Sequence, residues 1–144
     1  MSQILMQLGI DAEPVAVYEA LTTADGLAGW WSTRAEVPCG EGEVVKVSFP
    51  DAPFTWDLRI DQARPGELLV WRCVGGPPPW VGTTVRWALE PAPQGKGTRL
   101  LFDHVGWGDG SDEMVRIVTV GWARILDLLK AYAETGRPNP FASF

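Results

Sequence analysis

Positive charge is scarce in this sequence and nowhere clustered. Twelve Lys and Arg stand against 18 Asp and Glu, a net charge of −6. No run of five bases occurs. Binding to nucleic acid or to an anionic membrane is excluded, since phosphate neutralisation needs clustered cations. Cysteine is almost absent. Cys39 and Cys73 form no CxxC pair and have no histidine beside them, which removes zinc and thiol-redox motifs. Neither a metal nor another cofactor is expected. Histidine occurs once, at His104. No apolar run approaches the roughly 20 residues of a membrane span. The opening stretch MSQILMQLGIDAEP lacks a basic leader and a long apolar core, so no signal peptide is expected. A cytoplasmic chain with free thiols follows. There is no internal repeat and no Gly/Ser linker, and 144 residues suit one domain. Its expected span is 1–136, with 137–144 as a tail whose two phenylalanines can fold back.

Tryptophan, by contrast, is abundant: eight residues in the chain. Each can bury about 150–250 Å², so a few facing one interior dominate its surface. Their placement follows a period of two. In SQILMQLGID, Ile4, Met6, Leu8 and Ile10 share one face. EVVKVSF groups Val45, Val47 and Phe49. FTWDLRID sets Phe54, Trp56, Leu58 and Ile60 against Thr55, Asp57, Arg59 and Asp61. In ELLVWRCV, Leu69, Trp71 and Cys73 oppose Leu68, Val70 and Arg72, a weaker contrast. TTVRWALE groups Val85, Trp87 and Leu89, and TRLLFDHV groups Leu100, Phe102 and His104. Short turns (RPGE, GGPPPW, PAPQGKG, GWGDGSD) separate these runs and make an antiparallel meander with one apolar face.

Helical patterns flank the strands. Pro14 suits a first helical position, with Val17, Tyr18 and Leu21 on one side, and Thr23 can cap a second short helix ending at Trp30–Trp31. The longest pattern is DEMVRIVTVGWARILDLLKAYAETG. Met114, Ile117, Val118, Gly121, Trp122, Ile125, Leu128, Leu129 and Tyr132 recur at three and four residues. Ser111, Asp112 and Glu113 place a cap and acids at its positive end, while Gly136 and Pro138 end it. The fold class is therefore α+β. A curved antiparallel sheet of about six to seven strands is expected to wrap around a long C-terminal helix, with two short helices after the first strand. That helix spans roughly 36 Å, long enough to cover the apolar face.

Chemistry is less legible. FDHVGWGDG suggests an Asp–His pair, but adjacent strand residues point to opposite faces, so Asp103 and His104 cannot pair. His104 is then a weak catalytic candidate, since no Ser or Cys nucleophile is placed beside it. It reads better as a ligand-orienting group. Asp57 and Asp61 read as an outer charge ladder with Arg59. GWGDGSDE lacks the ligand spacing of a calcium or phosphate loop. The three prolines of GGPPPW favour extended polyproline geometry, which reads as a rigid hairpin connection or, alternatively, as a mount that holds Trp80 as a lid. A sheet bent round one helix leaves space that aromatic side chains would line. The expected ligand-contacting residues from the sheet and short helices are Trp30, Trp56, Trp71, Trp87, Phe102 and His104. From the long helix they are Met114, Val118, Trp122 and Ile125. Beside Trp122, Gly121 would let the helix approach the sheet or a ligand closely.

Four stretches carry a resemblance to a known family: PVAVYEALTTADGLAGWW, RPGELLVWRC, GTRLLFDHVGW and GWARILDLLKAYAETGRP. Over roughly residues 3–137 the chain resembles the START-like, SRPBCC or helix-grip superfamily, also called pollen-allergen-like. Within it, the chain is similar to the homologues of the activator of heat shock protein 90 ATPase. The resemblance implies a hydrophobic ligand cavity, used in that superfamily for lipid or hormone binding or for cyclase and hydrolase chemistry. Three functions are thereby expected. The first is binding of a small hydrophobic or aromatic molecule. The alternatives are a cyclase- or hydrolase-type enzyme in the same cavity, and a chaperone-interacting or regulatory protein, as monomer or homodimer.

Overall fold

The computed structural model describes residues 2–144. The chain runs β1 (Ile4–Ile10), α1 (Pro14–Thr22), α2 (Ala24–Trp30), β2 (Arg34–Glu36), β3 (Val44–Ser48), β4 (Thr55–Arg64), β5 (Leu68–Gly75), β6 (Thr84–Pro91), β7 (Thr98–Val105) and α3 (Asp112–Thr135). Seven strands form one antiparallel sheet in the order β1-β7-β6-β5-β4-β3-β2. This is the α+β helix-grip architecture, with the sheet's apolar face closed over α3.

Alternation decides which face is buried. Val85, Trp87 and Leu89 of β6 lie beside Leu100, Phe102 and His104 of β7, all buried, with Trp87 opposite Phe102 and Val85 opposite His104. Asp103 lies on the outer face, 3.7 Å from Arg86. Asp61 is 2.8 Å from Arg59 and 3.7 Å from Arg72, a half-exposed cluster on the same outer face. Register shifts between Asp57 and Leu58 and between Ile60 and Gln62 interrupt the β4–β5 ladder. Such bulges sharpen local bend and twist, which a sheet curling round a helix requires.

The helix ends follow their local chemistry in part. Thr23 Oγ1 accepts the Gly26 N–H at 2.9 Å, capping α2. Gly136, at φ +74°, closes α3 by donating its N–H to the Tyr132 carbonyl at 2.7 Å. Ser111 sits at the N-cap of α3 but makes no side-chain cap, so only its carbonyl enters the helix, accepting from the Val115 N–H. The buried stripe of α3 also differs from the expected one. Val115 and Leu126 join Trp122, Ile125 and Leu129, whereas Ile117 is 62% exposed.

At the α1–α2 corner the two helices nearly touch. A Cβ on Gly26 would lie 2.6 Å from the Ala20 carbonyl oxygen, and backbone cannot swing aside. Gly26→Ala is expected to lower stability by about 1–3 kcal/mol through overpacking. A fall in the urea midpoint at unchanged slope would register it.

Residues 137–144, read as a tail from sequence, lie along the turn between α2 and β2. Asn139, Phe141 and Ala142 donate their N–H groups to the carbonyls of Gly29, Trp30 and Trp31. Thr33 returns a bond to the Ala142 carbonyl, a short parallel bridge joins Ser32 and Ala142, and the Arg34 guanidinium lies 3.7 Å from the Phe144 ring centroid. Among the described residues, no helix is long and apolar enough to cross a membrane.

Candidate ligand pocket

The interior holds a continuous aromatic cluster. Trp31 stacks on Trp30 at 5.5 Å and on Trp71 at 5.9 Å, with interplanar angles of 9° and 11°. Trp87 meets Trp30, Trp71, Phe102 and Trp122 at 4.8–5.8 Å, largely edge to face. Rings offset or edge-on in this way contribute about 0.5–1.5 kcal/mol per pair beyond their buried area.

His104 lies at the end of this cluster with 0% exposure. The Trp122 indole N–H donates to His104 Nδ1 at 3.0 Å. An indole can only donate, so Nδ1 is unprotonated and the neutral ring carries its proton on Nε2. Nε2 therefore donates to Thr83 Oγ1 at 2.9 Å, and the Thr83 hydroxyl donates to the Trp80 carbonyl at 2.6 Å. The Trp80 ring lies 4.7 Å from the imidazole, and Trp107 donates to the His104 carbonyl at 3.1 Å. Burial pushes the imidazole pKa down to about 3, so the ring is neutral near pH 7. With both nitrogens engaged, no lone pair is free to take a substrate proton. His104 is a strut that joins Trp122 of α3 to the loop carrying Trp80.

Beside this strut lies a pocket of about 610 Å³. Four structural units wall it: Trp31 after α2, Phe49–Ala52 and Trp56 around the β3–β4 loop, Trp80, and the α3 residues Ile117, Val118, Gly121, Trp122 and Ile125. Phe141, Ala142 and Ser143 of the C-terminal segment complete it. The half-exposed Phe141 and the exposed Ile117 mark its rim. A Cβ built on Gly121 meets nothing within 4 Å, so this glycine faces open space and is not needed for close packing on the sheet.

Of the ten residues expected to touch a ligand, Trp56, Val118, Trp122 and Ile125 are on this wall. Trp30, Trp71, Trp87, Phe102 and His104 are packed behind it at full burial, and Met114 packs against the core without reaching the wall. Trp71 instead borders a smaller pocket of about 140 Å³ with Tyr18 and Cys39. Sequence reasoning missed Trp31, Phe49, Asp51 and Phe141 as wall residues. The β3 alternation, carried one pleat past Val47, was the available signal for Phe49. Trp80 reaches the wall, but not through an extended proline run. Only Pro77 keeps that geometry, at φ −56° and ψ 134°, and Pro78–Trp80 then form a 3₁₀ turn that folds the indole inward to 7% exposure. Among the described residues no group of three potential metal ligands occurs.

Known proteins share this architecture. The dimeric Aha1 of Colwellia psychrerythraea is 31% identical, with a TM-score of 0.81 over 94% of this chain and 98% of that one. Protein SSP2350 of Staphylococcus saprophyticus matches at TM-score 0.79 and 16% identity over 99% and 98% of the two chains. The AHSA1-like protein of Aeromonas hydrophila matches at 0.72 and 19% over 94% of each. No curated protein matches the sequence. The sequence pattern of the family described as Activator of Hsp90 ATPase homolog 1-like protein covers residues 11–134, and the chain belongs to that family.

Proposed function

We propose that the protein binds a small, largely apolar or aromatic molecule in the pocket beside α3. The observation that carries this reading is the pocket itself: about 610 Å³, walled by Trp31, Phe49, Trp56, Trp80, Trp122 and Phe141. That volume falls within the range of small-molecule sites, and the lining has their usual composition, many apolar side chains and few polar ones. The enzymatic alternative is weaker, because His104 has no free lone pair and lies behind the wall. Interaction with a chaperone rests on the family likeness alone. The dimeric Colwellia relative supports pairing with a second copy, which light scattering would decide. The two unpaired cysteines, Cys39 and Cys73, support a reducing compartment such as the cytoplasm.

Gly121 supplies the test. Gly121→Leu projects a side chain into the pocket from a position where its Cβ is unobstructed. It also replaces a mid-helix glycine, a change worth up to about 1 kcal/mol in helix propensity. Titration with the uncharged fluorophore N-phenyl-1-naphthylamine is expected to saturate with the wild type. In Gly121→Leu the affinity should fall at least about tenfold, equivalent to losing 1.4 kcal/mol, while thermal stability holds or rises. No saturable binding by the wild type would remove the reading.

A further inference from the structure

The wall of this pocket has a charge character as well as an apolar one. Five of its rings touch in a closed circuit. Trp31 meets Phe49 at 5.8 Å, Phe49 meets Trp56 at 4.9 Å, and Trp56 meets Trp80 at 5.8 Å. Trp80 then meets Trp122 at 6.2 Å, and Trp122 returns to Trp31 at 5.4 Å. Trp31, Trp80 and Trp122 are buried within this circuit, so the rings open to a ligand are the half-buried Phe49 and Trp56. These lie 4.9 Å apart, and one ligand group can sit within the roughly 6 Å reach of cation–π attraction to both. The face of an aromatic ring is its negative side, and tryptophan is the strongest such partner.

Ionisable groups on the wall point the same way. Among the described residues Asp51 is the only one, and no described Lys, Arg or His lines the pocket. His104, the titratable group behind Trp80 and Trp122, has both nitrogens in use within the protein. Arg34, close in sequence to Trp31, has its guanidinium over the Phe144 ring. The chain as a whole is acidic, at −6. A carboxylate or sulfonate entering this space would leave water for a wall without a cation and meet Asp51 at like charge. An ammonium would meet the half-buried Phe49 and Trp56 rings and an opposite charge.

We infer that the pocket selects organic cations, a quaternary ammonium or protonated amine on an apolar body, over anions of the same shape. The inference rests on the pocket reading above and adds the ligand's charge to it.

Three probes of one shape separate the two claims: benzyltrimethylammonium, its hydrocarbon counterpart neopentylbenzene, and phenylmethanesulfonate. Each is titrated into ¹⁵N-labelled protein, with the indole N–H signals of Trp56 and Trp122 as the readout. The ammonium is expected to bind most tightly, the hydrocarbon next and the sulfonate least, with at least about tenfold between the charged pair. Asp51→Asn, at an exposed loop position, should narrow that gap severalfold and leave the hydrocarbon unchanged. Equal affinities, a sulfonate or hydrocarbon tighter than the ammonium, or a gap unmoved by Asp51→Asn would each overturn cation selection while the pocket reading stands. Failure of all three probes where N-phenyl-1-naphthylamine still binds overturns it as well. Failure of all four removes both readings.

Discussion

Trp122→Ala is expected to cost about 4–8 kcal/mol of folding stability. The side chain is 1% exposed and lies against Trp31, Trp80, Trp87, Phe102 and His104 at centroid distances of 4.6–6.2 Å. Truncating a packed tryptophan typically costs about 3–5 kcal/mol, because the surrounding rings cannot collapse into the space. A second loss is chemical. Trp122 supplies the donor to His104 Nδ1, and a buried acceptor left alone costs about 1–3 kcal/mol. Trp122→Phe separates the two contributions, since it keeps most of the ring and removes the N–H. Its expected loss is about 1–3 kcal/mol. Urea unfolding followed by circular dichroism measures both variants. A Trp122→Phe variant as stable as the wild type would show that the hydrogen bond to His104 contributes nothing net. The alanine variant would take much of the 5–15 kcal/mol that domains of this size possess, so the phenylalanine variant keeps the measurement within reach.

Acid is the second large lever. In the unfolded chain His104 takes its proton near 6.5, while in the fold burial holds it down to about 3. Between those values the unfolded state binds more protons than the native state, so stability falls as pH falls. Above about pH 7 this group imposes no slope. Across the window the loss is on the order of 5 kcal/mol, at 1.36 kcal/mol per pH unit. His104 is the only histidine in the chain, so this contribution can be removed by one substitution. His104→Gln retains a donor and an acceptor without an imidazole. Unfolding free energies of the two proteins, measured from pH 7.5 to 4, should converge as pH falls, the wild type losing more. Parallel curves would mean that the native imidazole titrates normally, contrary to its complete burial.

These two residues also show how far the sequence could be read. Strand parity placed His104 and Asp103 on opposite faces, and the structure has one buried and the other beside Arg86 on the outer face. Parity names a face but not a depth. Trp87 and Phe102 share the apolar side with Trp56, yet they lie where α3 and Trp30 fill the interior. Trp56 lies toward the end where the pocket opens. β2, three residues long and mostly exposed, is too short to show any period. The pocket depends largely on segments without periodicity: residues 50–52, the 3₁₀ turn at Trp80, and residues 141–143. Residues 141–143 are placed by tertiary hydrogen bonds to the end of α2, which no local pattern announces. The strut between Trp122 and Trp80 belongs to the same class, since it joins residues 18 and 21 positions from His104 through side chains alone.

The backbone bonds from Asn139, Phe141 and Ala142 to the end of α2 bear on where this domain is cut and tagged. The stretch shared with the family closes at residue 134, and α3 closes at Thr135, so either boundary invites truncation there. A chain trimmed at that point would keep every strand and helix and give a normal spectrum, yet it would lack one wall of the pocket and leave three carbonyls near Trp31 without partners. An affinity tag fused after Phe144 would begin beside the pocket's rim. Tolerance of a terminus to editing depends on what its backbone holds, and here the C-terminal segment holds one wall of the pocket.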